Sequence, residues 1–189
     1  MIELYITRHG ETLENASQIL QGHLPGHLSE LGLQQARELR DRLAHMPFDH
    51  IVVSDLQRAL DTAHIVNADR QLPLTVTPLL RERDWGEYTG VRIRDVQSRR
   101  VSDFPPSVEN AEQLSRRARR FLQFLLNHFD GQTVLAIGHG YFDRCIVAEI
   151  EGKIPHDVPR WGNAEVRHIR LDRHAKALKP CGGNEVSAD

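Results

Sequence analysis

The feature that most constrains the fold is a repeated alternation of short apolar strand patterns with amphipathic helix patterns. Residues 2–7 alternate apolar and polar side chains as a strand does, and after a loop a helix pattern begins at Ser29 and ends before Pro47. Residues 51–54 form a short apolar run typical of a buried strand, and residues 56–66 indicate a second helix. Alternation of this kind predicts a parallel sheet with right-handed crossovers.

The second half of the chain continues this alternation. Residues 74–77 indicate a third strand, residues 110–128 a long helix, and residues 133–137 a fully buried fourth strand. A helix over residues 141–150 and an edge strand over residues 166–171 complete the pattern. We therefore predict an α/β fold of three layers, α/β/α, with a mostly parallel central sheet.

Two stretches interrupt the alternation. Residues 14–27, rich in Gly, Pro, Asn and Gln, predict an ordered loop, and residues 80–106 predict an irregular charged segment that ends at two prolines. The long helix carries a run of four arginines, which we interpret as a solvated outer face rather than as a nucleic-acid surface: Arg116, Arg117, Arg119 and Arg120.

Length, charge and cysteine content limit the class of protein. With 189 residues, 40% of them hydrophobic, the chain fits one domain over residues 1–174, followed by an aperiodic and mobile tail over residues 175–189. A formal net charge of -2 argues against a dedicated nucleic-acid binder. The two cysteines, Cys145 and Cys181, suit a reducing compartment. With no secretory signal pattern and no run of about 20 apolar residues, we expect a cytoplasmic protein without a membrane partner.

Charged and imidazole side chains stand at three of the predicted strand ends. The first strand ends at Arg8 and His9, the second at Ser54 with Arg58 in the following helical turn, and the fourth at His139 between two glycines. Carboxyl ends of parallel strands share one edge of a sheet, where helix amino termini add positive charge. Arginine binds phosphate through two parallel hydrogen bonds. Although Arg8 and His9 alone could be solvated turn residues, the three junctions together predict an anion site.

The stretches that carry these side chains resemble the histidine phosphatase superfamily, whose members have the phosphoglycerate mutase-like fold. The resemblance runs in order from about residue 2 to about residue 171 and rests on these segments: Thr7-Arg8-His9-Gly10-Glu11-Thr12, Asn15, Gln21-Gly22, Ser54 to Arg58, Leu80 to Gly90, and Gly138-His139-Gly140.

The resemblance implies a role for each of eight residues. His9 is implied to be the nucleophile that takes the phosphoryl group, and Glu82 the proton donor. The phosphoryl oxygens are implied to be bound by Arg8, Arg58 and His139, and the site to be lined further by Asn15, Gln21 and Gly22. From the residues alone, Asp84 and Glu87 are equally good candidates for the acid, and Asn15 and Gln21 could simply satisfy loop backbone.

The chemistry of phosphoryl transfer is compatible with these roles. Attack needs a neutral imidazole, and neighbouring guanidinium groups should lower the pKa of His9. The leaving alkoxide needs a proton, which a carboxylic acid can supply. The remaining histidines show no metal-ligand spacing, so we expect neither a metal nor another cofactor. Trp85 and Tyr88 are interpreted as packing under their loop rather than as a pocket wall.

Two departures from the family pattern leave the substrate open. Relatives often carry an acidic residue and a proline where this chain has Leu24-Pro25-Gly26-His27-Leu28, and many carry Gly-Glu-Ser where it has Val108-Glu109-Asn110. The connection between the third and fourth strands is short beside that of the glycolytic mutases, which favours hydrolysis. We expect a metal-independent phosphatase acting on a small phosphorylated metabolite through phosphohistidine. A phosphomutase and a non-catalytic phospho-ligand-binding module are the alternatives, and the oligomeric state is left open.

Overall fold

A computed structural model of the chain describes residues 1–96, 98–99 and 103–172. Within these residues the strands are β1 (Ile2–Arg8), β2 (His50–Ser54), β3 (Leu74–Thr77), β4 (Thr133–Gly138) and β5 (Val166–Leu171). The helices are α1 (Leu13–Ala16), α2 (Glu30–Leu43), α3 (Gln57–Asn67), α4 (Ile93–Val96), α5 (Ala111–His128) and α6 (Gly140–Glu151). The predicted tail, with Cys181, lies outside the described residues. In the described part of the chain, no helix is long and apolar enough to cross a membrane.

The described strands form a mixed sheet of order β3-β2-β4-β1-β5. All neighbouring pairs are parallel except β1 with β5, which is antiparallel. This confirms the mostly parallel sheet and the edge position of the last strand. Because β4 lies between β1 and β2, the carboxyl ends of these three strands are adjacent, and the three predicted junctions meet at one edge.

Helices cover both faces of the sheet. On β2, Val52 belongs to the core formed with α5 and α6, whereas Ile51 and Val53 belong to the core formed with α2 and α3. Side chains alternate between the faces because the strand period is two residues. The three-layer α/β/α prediction is confirmed.

Capping residues fix where the helices begin. Ser29 caps α2 by accepting from the backbone N–H of Gly32, as its position in the sequence predicted. The prediction of a loop over residues 14–27 is wrong at its start, because Thr12 and Asn15 form a capping box that begins the single turn α1. A four-residue helix has too few periodic positions to show an apolar face.

The interpretation of the arginine run in α5 as a solvated face is wrong for Arg117. Only 15% of its side chain is exposed, and it pairs with Glu109 at 2.6 Å. Its guanidinium lies 3.7 Å from the centre of the Phe142 ring and donates to the Arg81 carbonyl at 2.5 Å. Arg117 is three residues after Leu114 and therefore lies on the buried side of the helix. The helical period thus indicated that Arg117 is less exposed than the other arginines, but the run of four charges obscured this.

Candidate active site

A cavity of about 140 Å³ opens where β1, α3 and the segment after β3 meet. Seven of the eight predicted site residues line it, and Trp85 also lines it, contrary to the interpretation of that side chain as packing alone. Tyr88 packs on Phe104, as expected, with ring centres 5.8 Å apart. The complete lining is Arg8, His9, Asn15, Ile19, Leu20, Gln21, Gly22, Arg58, Glu82, Trp85 and Ile93.

The His9 imidazole is held in one tautomer at the end of β1. Its Nδ1 lies 2.6 Å from the Gly10 carbonyl oxygen, which can only accept, so Nδ1 carries the proton. The lone pair of Nε2 is then free to accept from Arg58 Nε, 3.2 Å away. Burial, together with Arg58 and Arg8, lowers the pKa of His9 well below its usual value. The ring is therefore neutral, with Nε2 as its nucleophilic atom.

A glycine is needed at position 10 for close packing of the backbone against α2 rather than for the approach of a ligand. A Cβ on Gly10 would lie 2.5 Å from the Gly32 carbonyl oxygen in α2. The Gly10 N–H donates to Thr62 Oγ1 at 3.1 Å, and that hydroxyl donates to the Arg58 carbonyl at 2.8 Å. The turn after His9 is thereby tied to both α2 and α3.

Arg58, in the first turn of α3, is fixed by three backbone carbonyls. Nη1 donates to Leu24 at 2.5 Å and to Pro25 at 3.2 Å, and Nη2 donates to Gly22 at 2.9 Å. Burial lowers the pKa of Arg58 to about 10, which leaves it charged at neutral pH. A Cβ on Gly26 would lie 3.2 Å from Arg58 Cδ, so this loop and the guanidinium fit closely.

Arg8 is held far less firmly. Its Nη1 reaches the Trp161 carbonyl only at 3.5 Å, and its buried Nε has no hydrogen-bond partner among the described residues. A Cβ on Gly140 would lie 3.1 Å from both Cδ and Nε of Arg8. The other guanidinium donors of Arg8 are thus available to an anion in the cavity.

The turn before β5 supports the nucleophile, which the sequence analysis missed. Asn163 Nδ2 donates to the His9 carbonyl at 3.0 Å, and the Ala164 N–H donates to the Arg8 carbonyl at 3.0 Å. Nothing in the local pattern marks Asn163, since a polar residue beside glycine is typical of any turn. Its importance follows from β5 pairing with β1, a contact across most of the chain.

His139 lies behind His9 rather than on the cavity wall. It is fully buried at the amino end of α6, with its ring centre 5.1 Å from that of His9. Its Nε2 lies 2.8 Å from Ser54 Oγ at the end of β2. Burial, with Arg58 nearby, lowers the pKa of His139 well below its usual value.

Glu82 is the acidic candidate that faces the cavity. Its carboxylate accepts from the backbone N–H groups of Arg83 at 2.8 Å, Phe142 at 3.1 Å and Tyr141 at 3.2 Å, and so lies at the amino end of α6. Asp84 instead accepts from the Gly86 N–H at 2.8 Å, and Glu87 is exposed. The geometry therefore distinguishes Glu82, which faces the cavity, from Asp84 and Glu87, whereas the sequence alone could not.

The arrangement places a neutral imidazole beside two guanidinium groups, with one carboxylate on the same wall. It can bind a dianionic oxyanion and present a nitrogen lone pair to it, which are the parts that phosphoryl transfer needs. Within the part of the chain that the structure describes, no group of three or more His, Cys, Asp or Glu side chains could hold a metal ion.

Comparison with known proteins shows the family to which the chain belongs. The profile of the histidine phosphatase superfamily (branch 1) matches residues 4–182. The adenosylcobalamin/alpha-ribazole phosphatase of Salmonella typhimurium is 32% identical over 149 residues, 73% of this chain and 74% of its own. "Probable phosphoglycerate mutase GpmB" of Enterobacter sp. (strain 638) is 31% identical, over 80% of this chain and 76% of its own. The alpha-ribazole phosphatase structure from Shigella flexneri superposes with a TM-score of 0.81 at 28% identity, covering 90% of this chain and 91% of that chain. The chain therefore belongs to the histidine phosphatase superfamily.

Proposed function

We propose that the chain is a metal-independent phosphatase that hydrolyses a small phosphomonoester through a phosphohistidine on His9. One observation carries the proposal: a neutral His9 directs Nε2 toward the Arg58 guanidinium, on the wall of a cavity that Arg8 also lines. A lone pair beside two cations suits attack on a dianionic phosphoryl group, because the cations offset the repulsion that the nucleophile would meet.

In the first half of the proposed reaction, His9 Nε2 attacks phosphorus while the bond from phosphorus to the ester oxygen breaks. Arg8 and Arg58 stabilise the charge that builds on the equatorial oxygens. Glu82, which lines the same cavity and is proposed to be protonated when the dianionic ester is bound, gives its proton to the departing oxygen. The alcohol leaves, and the phosphoryl group stays on Nε2.

In the second half, water attacks the phosphohistidine. Glu82, now ionised, takes a proton from that water as the bond from phosphorus to Nε2 breaks. Inorganic phosphate leaves, and His9 returns to the neutral tautomer that the Gly10 carbonyl stabilises. The positive charge comes from the two guanidinium groups, so chelators should leave the rate unchanged.

The experiment that tests this proposal is His9→Ala, assayed by phosphate release from an aryl phosphate with and without EDTA. We expect turnover to be abolished. His64→Ala is the matched control, because His64 is exposed on α3, and it should retain wild-type activity. Undiminished turnover by His9→Ala would contradict the proposal, and inhibition by EDTA would contradict its metal independence.

The role of Glu82 has its own test. Glu82→Gln should slow alkyl phosphates more than aryl phosphates, because only the poor leaving group needs the donated proton. Glu87→Gln, at an exposed position, is the control. Equal losses for both substrate types would assign the acid to another group.

The similarity to proteins named alpha-ribazole phosphatase makes an alpha-ribazole phosphate the first metabolite to assay. The relative named as a mutase supports a second candidate function, a phosphomutase. Incubation with a phosphoglycerate separates the two, since a mutase gives the isomer and a phosphatase gives free phosphate. Phosphate binding without release from any ester would instead indicate a non-catalytic binding module.

A further inference from the structure

Asp143, in the first turn of α6, is a buried carboxyl that the proposed reaction does not use. The residue is 0% exposed, and neither side-chain oxygen has a hydrogen-bond partner among the described residues. Burial, and then Glu82 nearby, raises the pKa of Asp143 well above its usual value, which favours the neutral acid.

A buried polar group without a partner destabilises a fold, whereas an apolar side chain of similar size at the same place does not. Asp143 lies on the same helix as Phe142 and Ile146, which belong to the apolar core. Packing alone would therefore be served better by leucine. A carboxyl retained at such a place needs another explanation.

The two glycines that flank His139 explain where this carboxyl lies. A Cβ on Gly138 would lie 2.3 Å from Asp143 Oδ1, so the carboxyl packs directly against the Gly138 backbone. Gly138 is the partner of Arg8 in the β1–β4 ladder. A Cβ on Gly140 would in turn lie 3.1 Å from Arg8 Nε. The absence of both Cβ atoms lets Asp143 and Arg8 approach the same turn.

Near Asp143, the Arg8 guanidinium is the charged group that few hydrogen bonds hold in place. Arg58 is fixed by three carbonyls, but Arg8 Nε is buried without a partner. Burial lowers the pKa of Arg8, and Glu82 and then Asp143 oppose that shift, which indicates that the Asp143 carboxyl is close enough to Arg8 to influence it. A carboxyl oxygen accepts from a guanidinium N–H, and pairing the two would satisfy both buried groups.

We propose that Asp143 is a positioning residue: when the cavity holds an anion, the Asp143 carboxyl accepts a hydrogen bond from the Arg8 guanidinium and keeps that guanidinium directed toward an oxygen of the anion. The inference rests on the proposed function only in taking that anion to be a phosphoryl group. Asp143 contacts no reacting atom and acts through Arg8. Its contribution should therefore appear in anion binding as well as in turnover, and should vanish when Arg8 is absent.

The test is a double-mutant cycle between Asp143→Leu and Arg8→Ala, read out by calorimetric binding of inorganic phosphate and by kcat/KM. We expect Asp143→Leu to bind phosphate about 10-fold more weakly, the loss that corresponds to about one hydrogen bond to a charged group. Its denaturation midpoint should be equal to or above that of the wild type. In the Arg8→Ala background the same change should have no further effect. Asp143→Asn, which stays polar and uncharged, should lose less than about threefold.

Ile146→Val is the matched control, because it changes a buried side chain on the same helix. It should lower stability slightly without weakening phosphate binding. Wild-type phosphate binding by Asp143→Leu, or losses that add in the double mutant, would overturn the positioning role. Phosphate binding that depends on Arg8 and Asp143 without any ester hydrolysis would refute the proposed function alone.

Discussion

Removing the Arg58 side chain should destabilise the fold by about 3–5 kcal/mol, the range typical of breaking a buried charged network. The side chain is 1% exposed and donates to three loop carbonyls at 2.5 to 3.2 Å. A hydrogen bond to a charged group contributes about 1.5–3 kcal/mol, so three contribute about 5–9 kcal/mol. Water entering from the adjoining cavity should satisfy some of the freed carbonyls, which brings the net loss into the lower range.

Chemical denaturation at pH 7.5 measures this loss as a change in the free energy of unfolding. Arg58→Ala is compared with Arg58→Lys, which retains a charge but not the forked geometry and should lie between wild type and alanine. Arg116→Ala is the control for an exposed arginine, since 62% of that side chain is accessible, and should change stability by less than about 0.5 kcal/mol. A loss below about 1 kcal/mol for Arg58→Ala would refute the argument from three buried acceptors.

Three further predictions concern titration, a buried ion pair and a tight turn. Because the pKa of His9 is lowered by folding, the unfolded chain binds a proton below about pH 6.5 that the folded chain excludes, and stability should fall with falling pH by up to about 1.4 kcal/mol per unit for this imidazole. The free energy of unfolding of wild type and of His9→Asn is measured by denaturation at pH 7.5 and 5.5. His9→Asn should lack the part of the pH dependence that comes from His9, and an identical pH dependence in the two proteins would contradict this prediction. Arg117→Met should cost about 1–3 kcal/mol in a denaturation experiment because the partly buried Glu109 carboxylate loses its charged partner, while exposed Arg120→Met should cost almost nothing; equal effects would contradict a stabilising ion pair. Gly26→Ala and Gly90→Ala both place alanine at positive φ, but only the Cβ at position 26 would meet other side chains, those of Gln21 and Arg58. Only Gly26→Ala should therefore reduce kcat/KM, and equal losses in the two variants would rule out a steric cause.

The architecture could be predicted from the sequence because each of its determinants is local. Strand and helix periods located the elements, and Ser29 marked one helix start by its capping chemistry. The meeting of Arg8, Arg58 and His139 followed from a single topological rule, that carboxyl ends of parallel strands share an edge. The structure places seven of the eight predicted site residues on one cavity and His139 behind His9, while their chemical roles stay predictions.

What could not be predicted depends on contacts between distant segments. Asn163 reaches the His9 carbonyl because β5 pairs with β1, and nothing in the sequence near Asn163 indicates that pairing. Arg117 looked solvated because its partner Glu109 and the carbonyls it binds come from segments whose path the sequence did not specify. Choosing among three acidic residues needed the position of the amino end of α6.

Trapping the covalent intermediate tests the central claim most directly. The protein is mixed with a phosphomonoester that it hydrolyses, quenched in alkali within one turnover, digested and analysed by mass spectrometry. The proposed mechanism predicts one phosphoryl group on the peptide that carries His9, absent from His9→Ala and lost as free phosphate on acidification. Turnover with an unmodified His9 peptide, or with the phosphoryl group on another residue, would contradict it.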